Sequence, residues 1–405
     1  MVRQQADAAT RVTAKNLWKV FGPAAKENAP EQLAGLSKLE IQEELKSVVA
    51  LRNVNFDVKE GETFVVMGLS GSGKSTLIRC LIRLIEPTLG ELMIDNEDVL
   101  EYDEAQLIEF RRKKTAMVFQ HFGLLPHRTV LDNAAWGLEV QGVPEEERHA
   151  RALEVLEMVG LHGWEHYRPS ALSGGMQQRV GLARAMASDP EILLMDEPFS
   201  ALDPLIRRDM QNELLRLQEQ MRKTIIFITH DLQEAIKVGT RIAIMRDGEI
   251  VQIGTPEEIM SQPVDDYVAE FTRDVRRSTV ITVGYLMQNS TTQINAEDSP
   301  SHAVQTMKAA NSEAAFVATE NGRYLGELTL AEAQAAESRN DTTVSAAVNR
   351  RYLPVFAQEC VEDALSKAWS QEGNLPVVDD TGVLVGQIER DALIQATFES
   401  EEALA

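Results

Sequence analysis

The amino-acid sequence predicts an α/β fold built on a mostly parallel sheet. Residues 64–67, 192–195 and 224–229 are continuous apolar runs, which are typical of strands buried on both faces. Helical patterns separate these runs, as in sheets that carry helices on both sides. A glycine, an aspartate and a histidine follow the three runs directly, and ligands of such sheets bind at the carboxyl ends of strands. We therefore expect the functional site along that edge.

The glycine that follows the first run opens a glycine-rich loop at residues 68–75. Its sequence, Gly-Leu-Ser-Gly-Ser-Gly-Lys-Ser, fits the phosphate-binding pattern G-x-x-x-x-G-K-[ST] without a mismatch. Glycines let successive backbone N–H groups turn inward, and the following helix adds the positive end of its dipole. Lys74 is expected to reach the terminal phosphates of a nucleotide, and Ser75 is expected to hold Mg²⁺. The residues predicted to bind the nucleotide are Gly68, Ser70, Gly71, Ser72, Gly73, Lys74, Ser75 and Thr76.

The overall composition limits the classes of function. The chain of 405 residues is long enough for two or three domains, and its net charge of −23 argues against non-specific nucleic-acid binding. Cys80 and Cys360 fit no metal spacing, so we expect a reduced, cytosolic chain. The sequence shows neither an apolar run long enough to span a bilayer nor the apolar region of a signal peptide. Action at a membrane would therefore require a partner.

The segments around the loop are expected to form a first domain, residues 1–272. Strands are predicted at residues 15–21, 48–58 and 90–95, and the polar insertion at 24–47 predicts one or two surface helices. Further predictions are a strand at 115–120 that ends in Gln120, a helix at 144–160 with Leu153, Leu156 and Val159 on one face, and a hairpin at 241–254.

Residues 273–405 are predicted to form a second domain. They contain a weak internal repeat, in which residues 316–326 resemble residues 376–386. An amphipathic helix precedes each copy, and a strand and a helix follow it. The prediction is therefore two copies of one module, at about 280–338 and 343–398, with chance similarity as the alternative.

Six motifs follow one another in a fixed order through residues 1–272. They are the loop at 68–75, Gln120 at a strand end, Leu-Ser-Gly-Gly-Met-Gln-Gln at 172–178, Asp196-Glu197, Ser-Ala-Leu-Asp at 200–203, and His230. In this order they resemble the ATPase subunit of ATP-binding-cassette (ABC) transporters. The resemblance implies a P-loop NTPase domain with an antiparallel β subdomain and a helical subdomain, which uses ATP and Mg²⁺.

The resemblance also implies a role for each residue at the strand ends. Ser75 and Gln120 would hold Mg²⁺, with Asp196 bound to it through water. Glu197 would be the general base, and His230 would contact the γ-phosphate and help to orient the attacking water.

Subunits of this family dimerise head to tail, and the resemblance therefore implies a homodimer. The residues that would cap the nucleotide of the other copy are Ser173, Gly174 and Gly175. Asp203 would link the two sites across the interface. An aromatic residue just before a glycine stacks on adenine in the family. Phe21 matches that position, and Trp18 is the competing candidate.

Three features are similar to the importers of glycine betaine and proline betaine. They are the insertion at 24–47, the stretches 67–77, 83–88 and 204–208, and the C-terminal repeat, which resembles the tandem cystathionine-β-synthase (CBS) modules of that group. The resemblance implies an osmotically regulated motor, peripheral on the cytoplasmic face of the cell membrane. Its partners would be an integral permease subunit and a substrate-binding protein or domain. A groove beside Gln120, formed with residues 121–131, would receive the coupling helix of the permease.

The chain departs from the family pattern in the CBS copies. Modules that bind adenine nucleotides often have Thr three and Asp six residues after the strand glycine. The first copy has Thr329 and Glu332 at these positions, and the second has Glu389 and Ala392, with Asp391 one place early. A regulatory nucleotide held by other contacts, a response to ionic strength and simple dimerisation are the alternatives for this pair.

Two other functions stay open at this point. Transport of choline, carnitine or an amino acid is compatible with the sequence, because the ATPase subunit does not touch the substrate. A soluble cassette ATPase that acts on nucleic acid or ribosomes is a different class. The single cassette, the net negative charge and the C-terminal repeat argue against it, so no nucleic-acid partner is expected.

Overall fold

The computed structural model divides the chain into two compact units, Met1–Ile259 and Met260–Ala405. The sequence predicts a boundary at residue 272. The structure places it earlier, because residues just after 259 make contacts with later residues of the second unit. Ser261 Oγ, for example, lies 2.8 Å from the hydroxyl of Tyr285. No helix in the described part of the chain is long and apolar enough to cross a membrane. The residues described are 8–25, 33, 35–36, 38–120, 122–273, 275–289, 292–350, 353–369 and 373–398.

The first unit alternates strands with helices after an initial pair of long strands. In chain order its elements are β1 (Thr10–Phe21), α1 (Lys38–Glu44), β2 (Val48–Lys59), β3 (Thr63–Gly68), α2 (Lys74–Leu81), β4 (Leu89–Ile94), β5 (Glu97–Asp98), α3 (Glu104–Lys113), β6 (Thr115–Val118), α4 (Val130–Val140), α5 (Glu145–Met158), α6 (Gly174–Ala187), β7 (Ile192–Asp196), α7 (Pro204–Met221), β8 (Thr224–Thr229), α8 (Leu232–Val238), β9 (Arg241–Arg246), β10 (Glu249–Gly254) and, across the division, α9 (Pro256–Ser261).

A six-stranded sheet forms the centre of this unit, in the order β10-β9-β3-β8-β7-β6. The pairs from β9 to β6 are parallel, and β9 and β10 form the predicted hairpin. Every residue of β3, β7 and β8 is buried, which accounts for their continuous apolar sequence. The predicted α/β fold with a mostly parallel sheet is confirmed.

A second, antiparallel sheet has the order β2-β1-β4-β5 and is the predicted β subdomain. It shares one apolar core with the central sheet and α2. Phe56 of β2 stacks on Phe64 of β3, with ring centroids 5.3 Å apart. The core therefore fixes the antiparallel sheet against the strand that leads into the glycine-rich loop.

Helices α4, α5 and α6 pack on one another and form the helical part of the unit. The helix predicted at 144–160 is present as α5, but the placement of Leu153 on its buried face was wrong, because that side chain is 43% exposed. The buried positions are Ala152, Val155 and Leu156, and Val159 follows with the same spacing. Steps of three residues alone drift around a helix of 3.6 residues per turn, whereas alternating steps of three and four stay on one face.

The insertion at 24–47 is anchored by apolar side chains. Leu33 and Ile41 are fully buried, and they pack in a small core with Trp18, Val20 and Val49. The structure shows one helix of this segment, α1, while residues 26–32, 34 and 37 lie outside the described residues. The insertion thus covers the β1–β2 end of the antiparallel sheet.

The second unit contains two similar three-stranded sheets, β11-β12-β13 and β14-β15-β16. In each, the first pair of strands is parallel and the second pair is antiparallel, so the two sequence repeats form the same strand–turn–strand. The elements are α10 (Asp266–Thr272), α11 (Val283–Leu286), β11 (Gln293–Asn295), α12 (Pro300–Ala309), β12 (Ala314–Ala318), β13 (Tyr324–Thr329), α13 (Leu330–Ser338), β14 (Val355–Phe356), α14 (Val361–Ala368), β15 (Asn374–Val378), β16 (Leu384–Glu389) and α15 (Arg390–Phe398).

The segment that precedes each repeat packs on the other repeat. Ile281 and Val283, ahead of the first repeat, lie in the core of the second. Val344, ahead of the second repeat, lies in the core of the first. Gln288 pairs with Gln387 through both backbone N–H groups, at 2.8 and 2.9 Å. The repeats are therefore not two consecutive modules, and we expect them to unfold together.

This exchange predicts that Val283→Ala destabilises the second repeat, although Val283 precedes the first. Removal of two buried methyl groups should lower the free energy of unfolding of the second unit by about 1–3 kcal/mol. Denaturant unfolding of the full chain measures that loss, and hydrogen exchange should show lower protection in β15 and β16. Val264→Ala, at a residue that is 61% exposed, is the control and should change stability by less than about 0.5 kcal/mol. Unchanged protection and stability in Val283→Ala would contradict the exchange.

Candidate functional site

The backbone of the glycine-rich loop is held between β2 and β9. A Cβ on Gly68, whose φ is 156°, would lie 2.3 Å from the carbonyl oxygen of Met245. A Cβ on Gly73, whose φ is 107°, would lie 2.4 Å from the carbonyl oxygen of Ala50. Both contacts are with backbone atoms, which cannot move aside without shifting a strand. The loop therefore requires glycine at these two positions.

The turn of the β9–β10 hairpin supports the loop from one side. Gly248 N donates to the carbonyl oxygen of Ser72 at 3.0 Å, and Arg52 N donates to that of Gly248 at 2.8 Å. The hydroxyl of Ser72 is buried and has no hydrogen-bond partner among the described residues. A buried hydroxyl with no protein partner inside this loop fits a ligand rich in oxygen atoms.

Lys74 places a buried cation at the base of the loop. Its Nζ donates to the carbonyl oxygens of Gly68 at 2.8 Å and Leu69 at 3.0 Å, and the residue is 5% exposed. Burial lowers the pKa of Lys74, while the charges of Glu197 and Asp196 act in the opposite direction. The two carboxylates therefore favour the charged ammonium, which suits the binding of a phosphate group.

Ser75 and Asp196 meet at the carboxyl end of β7. Ser75 Oγ donates to Asp196 Oδ1 at 3.0 Å, and Arg79 lies 3.9 Å from Asp196 Oδ2. Burial raises the pKa of Asp196, and the hydrogen bond from Ser75 and the charge of Arg79 partly offset this effect. A buried carboxylate beside a hydroxyl supplies the oxygen ligands that Mg²⁺ prefers.

Glu197 follows Asp196 in a left-handed backbone conformation, with φ of 47°. Its N–H donates to Ile228 O at 3.0 Å, and Ser200 Oγ donates to its carbonyl oxygen, also at 3.0 Å. Such a conformation costs of order 1 kcal/mol and persists where the surroundings impose it. Glu197 Oε2 lies 3.0 Å from His230 Nδ1, so the two strand-end side chains touch. The pair can accept and orient a proton donor such as water.

The serine–glycine–glycine turn begins α6. Ser173 caps this helix, with its Oγ accepting from Met176 N at 3.4 Å. A Cβ on Gly175 would lie 2.5 Å from Ile206 Cγ2, and Ile206 N in turn donates to Asp203 Oδ1 at 3.1 Å. The starts of α6 and α7 are thus adjacent. In the described part of the chain, no hydrogen bond or ion pair joins Ser173, Gly174 or Asp203 to the group around Lys74.

Gln120 lies two residues beyond the end of β6 and is exposed. The loop that follows it is held by side chains of two helices. Arg184 of α6 donates to the carbonyl oxygens of Phe122 at 3.0 Å and Gly123 at 2.5 Å. The buried Asn133 of α4 accepts from Leu125 N at 2.8 Å. His121, which belongs to the predicted groove, lies outside the described residues.

The two aromatic candidates for adenine stacking have different surroundings. Phe21, at the end of β1, is 42% exposed, and Lys19 Nζ lies 4.8 Å from the centre of its ring. Trp18 is 8% exposed and packs in the core that anchors the insertion. A ring that is already used in a core offers little face to a ligand, so the structure favours Phe21.

The structure adds residues that the sequence argument missed. Arg79 lies four residues after Ser75, and this spacing on a helix could have predicted its approach to Asp196. Ser200 bonds to the backbone carbonyl of Glu197, three residues earlier, whereas Arg184 bonds to backbone carbonyls 61 and 62 residues earlier in the chain. A sequence pattern carries no signal for the Arg184 contacts. The predicted residues that the structure brings together are Lys74, Ser75, Asp196, Glu197 and His230.

Comparison with known proteins identifies the family. The family model described as ABC transporter matches residues 51–200. The glycine betaine transport ATP-binding protein of Bacillus subtilis is 45% identical over 97% of this chain and 93% of its own length. The glycine betaine/carnitine transport ATP-binding protein of Listeria monocytogenes is 47% identical over 97% of this chain and 98% of its own. The trimethylamine N-oxide transport ATP-binding protein of Ruegeria pomeroyi is 51% identical, but over 68% of this chain and 81% of its own.

A solved structure agrees with these relatives. The dimeric structure of a bacterial ABC transporter cassette matches with a TM-score of 0.51 and 37% identity, covering 60% of this chain and 98% of the other. The same cassette is also known in a post-hydrolysis state bound to ADP and phosphate, with the same TM-score. The chain therefore belongs to the ABC transporter family, as an ATP-binding and ATP-hydrolysing subunit of the group that includes the glycine betaine transport proteins.

Proposed function

We propose that the protein is the motor of an importer for glycine betaine, proline betaine or a related quaternary amine. The observation that carries this proposal is the extent of the similarity. Two relatives named for glycine betaine transport match 97% of the chain, including the second unit, whereas the trimethylamine N-oxide relative matches 68%. Carnitine stands in the name of one of these relatives, so it is the second candidate substrate.

The residues present fit ATP and Mg²⁺. Inward N–H groups, the buried hydroxyl of Ser72 and the ammonium of Lys74 would hold the phosphates. Ser75, Asp196 and Gln120 would hold Mg²⁺, which neutralises charge on the phosphates when it is bound. Asp196 is then the carboxylate for which a cation offsets the cost of burial.

Glu197 and His230 would act on the attacking water. The Glu197 carboxylate is partly accessible, and its backbone is fixed by Ile228 and Ser200, so it can accept a proton at a defined position. His230, in contact with Glu197 Oε2, would orient the water and contact the γ-phosphate. The chain would thereby contribute position and charge, which are the main terms in phosphoryl transfer.

A homodimer would complete the site. Ser173, Gly174 and Gly175 stand at a helix N-terminus, a natural anion site, yet within one chain they do not join the group around Lys74. A second copy placed head to tail would bring this turn onto the nucleotide, with Asp203 at the interface. The dimeric form of the similar cassette supports this arrangement.

The remaining partners follow from the same assignment. An integral permease subunit would place its coupling helix in the groove beside Gln120, where the loop is braced by Arg184 and Asn133. A substrate-binding protein or domain would deliver the substrate outside the cell. The subunit itself would lie on the cytoplasmic face of the cell membrane, held there by the permease.

The second unit is proposed to be a tandem CBS pair with a regulatory role. Its two alike sheets and the exchange of leading segments support that assignment. A nucleotide held by Thr329 and Glu332 is disfavoured, because these side chains form a capping box for α13, with Thr329 Oγ1 and Glu332 Oε2 2.8 Å apart. Regulation through dimerisation or ionic strength requires no ribose contact at these positions.

Glu197→Gln should abolish turnover and leave ATP binding intact. The amide keeps the shape of the side chain but cannot take a proton, so the turnover number should fall by about 10²–10⁴-fold. Steady-state ATP hydrolysis and equilibrium binding of ATP with Mg²⁺ measure the two effects separately. The control is Lys74→Ala, in which binding and turnover should fall together because the buried cation at the loop is lost. Hydrolysis by Glu197→Gln at the normal rate would refute the assignment of the base.

Phe21→Ala should weaken ATP binding without unfolding the chain. Loss of one stacking face costs about 1–3 kcal/mol of binding free energy, which raises Kd about 5- to 150-fold. Trp18→Ala should instead lower the free energy of unfolding by about 3–5 kcal/mol, because it removes a buried ring. Nucleotide titration and thermal unfolding of both variants decide between them. Normal ATP affinity in Phe21→Ala would remove it as the stacking residue.

Uptake assays test the substrate. Cells that lack the gene should lose uptake of labelled glycine betaine, and plasmid-borne Glu197→Gln should not restore it. Unlabelled proline betaine should compete strongly in complemented cells, and choline, carnitine and amino acids should compete less. Unimpaired betaine uptake in the deletion strain, with loss of another of these substrates, would reassign the transporter.

A further inference from the structure

Glu234 is a buried carboxylate that the proposed mechanism does not use. It lies in the first turn of α8 and is 5% exposed. Gln211 of α7, 7% exposed, donates from Nε2 to Glu234 Oε1 at 3.1 Å. Thr229, the last residue of β8, is joined to Glu234 by a side-chain hydrogen bond. Burial of a carboxylate costs free energy unless hydrogen bonds or ion pairs compensate for the lost water. The position of Glu234 therefore needs a physical reason.

Two residues that contact Glu234, Thr229 and Asp231, flank His230 in the sequence. Thr229 precedes the histidine and is 1% exposed. Its Oγ1 accepts from the N–H of Asp231, the residue that follows the histidine, at 3.0 Å. The turn that carries His230 is therefore closed by the Thr229 hydroxyl, which also interacts with the buried carboxylate of Glu234. The imidazole itself remains 56% exposed and points to Glu197.

The far end of this connection is held by α7. Gln211 lies on α7, the long helix that begins beside Asp203. Arg207, one turn earlier on the same helix, contacts Asp231 Oδ2 at 3.3 Å and donates to Leu202 O at 3.3 Å. Asp231 Oδ1 accepts from Gln233 N and Glu234 N and so caps α8. The turn around His230 is thus tied to α7 at two points.

We propose that Glu234 is a positioning residue for His230, acting through the Thr229 hydroxyl on the turn that carries the histidine. Gln211 fixes the carboxylate on α7, and Thr229 transmits its position to the N–H of Asp231. Burial raises the pKa of Glu234, and the hydrogen bonds from Thr229 and Gln211 only partly offset this effect. The inference rests on the proposed role of His230 in hydrolysis.

The test uses the full-length chain and steady-state hydrolysis of ATP with Mg²⁺. Thr229→Val removes the hydroxyl at nearly constant shape, and Glu234→Met removes the carboxylate at similar volume. Each should lower kcat about tenfold with KM for ATP within about twofold, because the histidine is misplaced and the nucleotide site is not. Thr229→Ser keeps the hydroxyl and should restore most of kcat. Glu219→Met, the same change at an exposed position of α7, is the matched control and should leave kcat unchanged.

The decisive measurement is made in the His230→Ala background. A residue that acts only through His230 has nothing left to position there, so Glu234→Met should cause no further loss of the residual rate. A purely structural role would give the same fold loss in both backgrounds, together with a parallel fall in the thermal unfolding temperature, and would overturn the inference. Normal kcat in Glu234→Met or Thr229→Val would overturn it as well. Normal kcat in His230→Ala would instead refute the proposed role of the histidine, so the two failures are distinguishable.

Discussion

The close approach of three backbone segments is the constraint on which the site depends. The carbonyl oxygens of Met245 and Ala50 occupy the space that side chains on Gly68 and Gly73 would need. The path of the loop between β2 and β9 therefore leaves room only for glycine at these two positions. The shared core that joins the two sheets keeps those strands in place. Its apolar residues therefore help to hold the loop in its conformation without contacting the ligand site. The packing that forms the fold thus also fixes the conformation of the site.

Two adjacent acidic residues at the end of β7 have different surroundings. Asp196 is the last residue of β7 and is buried beside Ser75 and Arg79. Glu197 leaves the strand in a left-handed conformation, which turns its side chain toward His230. Neighbours in sequence thus enter different environments, one suited to a cation and one open to water. This separation is typical of sites that assign different roles to two carboxylates.

The sequence predicts the parts of this structure that are local. The glycine-rich loop, the buried strands and the hairpin at Asp247-Gly248 each carry their signal in a few consecutive residues, and the structure contains all of them. Leu153 was misplaced because a three-residue spacing was followed where the helix alternates steps of three and four. The packing of Val283 on the second repeat joins segments far apart in the chain, and no local pattern encodes it. The same limit applies to Arg184, whose partners are backbone carbonyls 61 and 62 residues earlier in the chain.

The two repeats of the second unit show why two segments with the same fold need not bind the same ligand. The two repeats have the same strand order and comparable cores, which the apolar positions suffice to build. Ligand binding needs polar side chains that the fold does not use, and here the fold uses them: Thr329 and Glu332 satisfy the first turn of α13. Breaking that capping box to hold a ribose would cost about 1 kcal/mol before any contact is gained. At the corresponding positions the second repeat has an exposed Glu389 and a half-buried Ala392, which offer a ribose no equivalent pair.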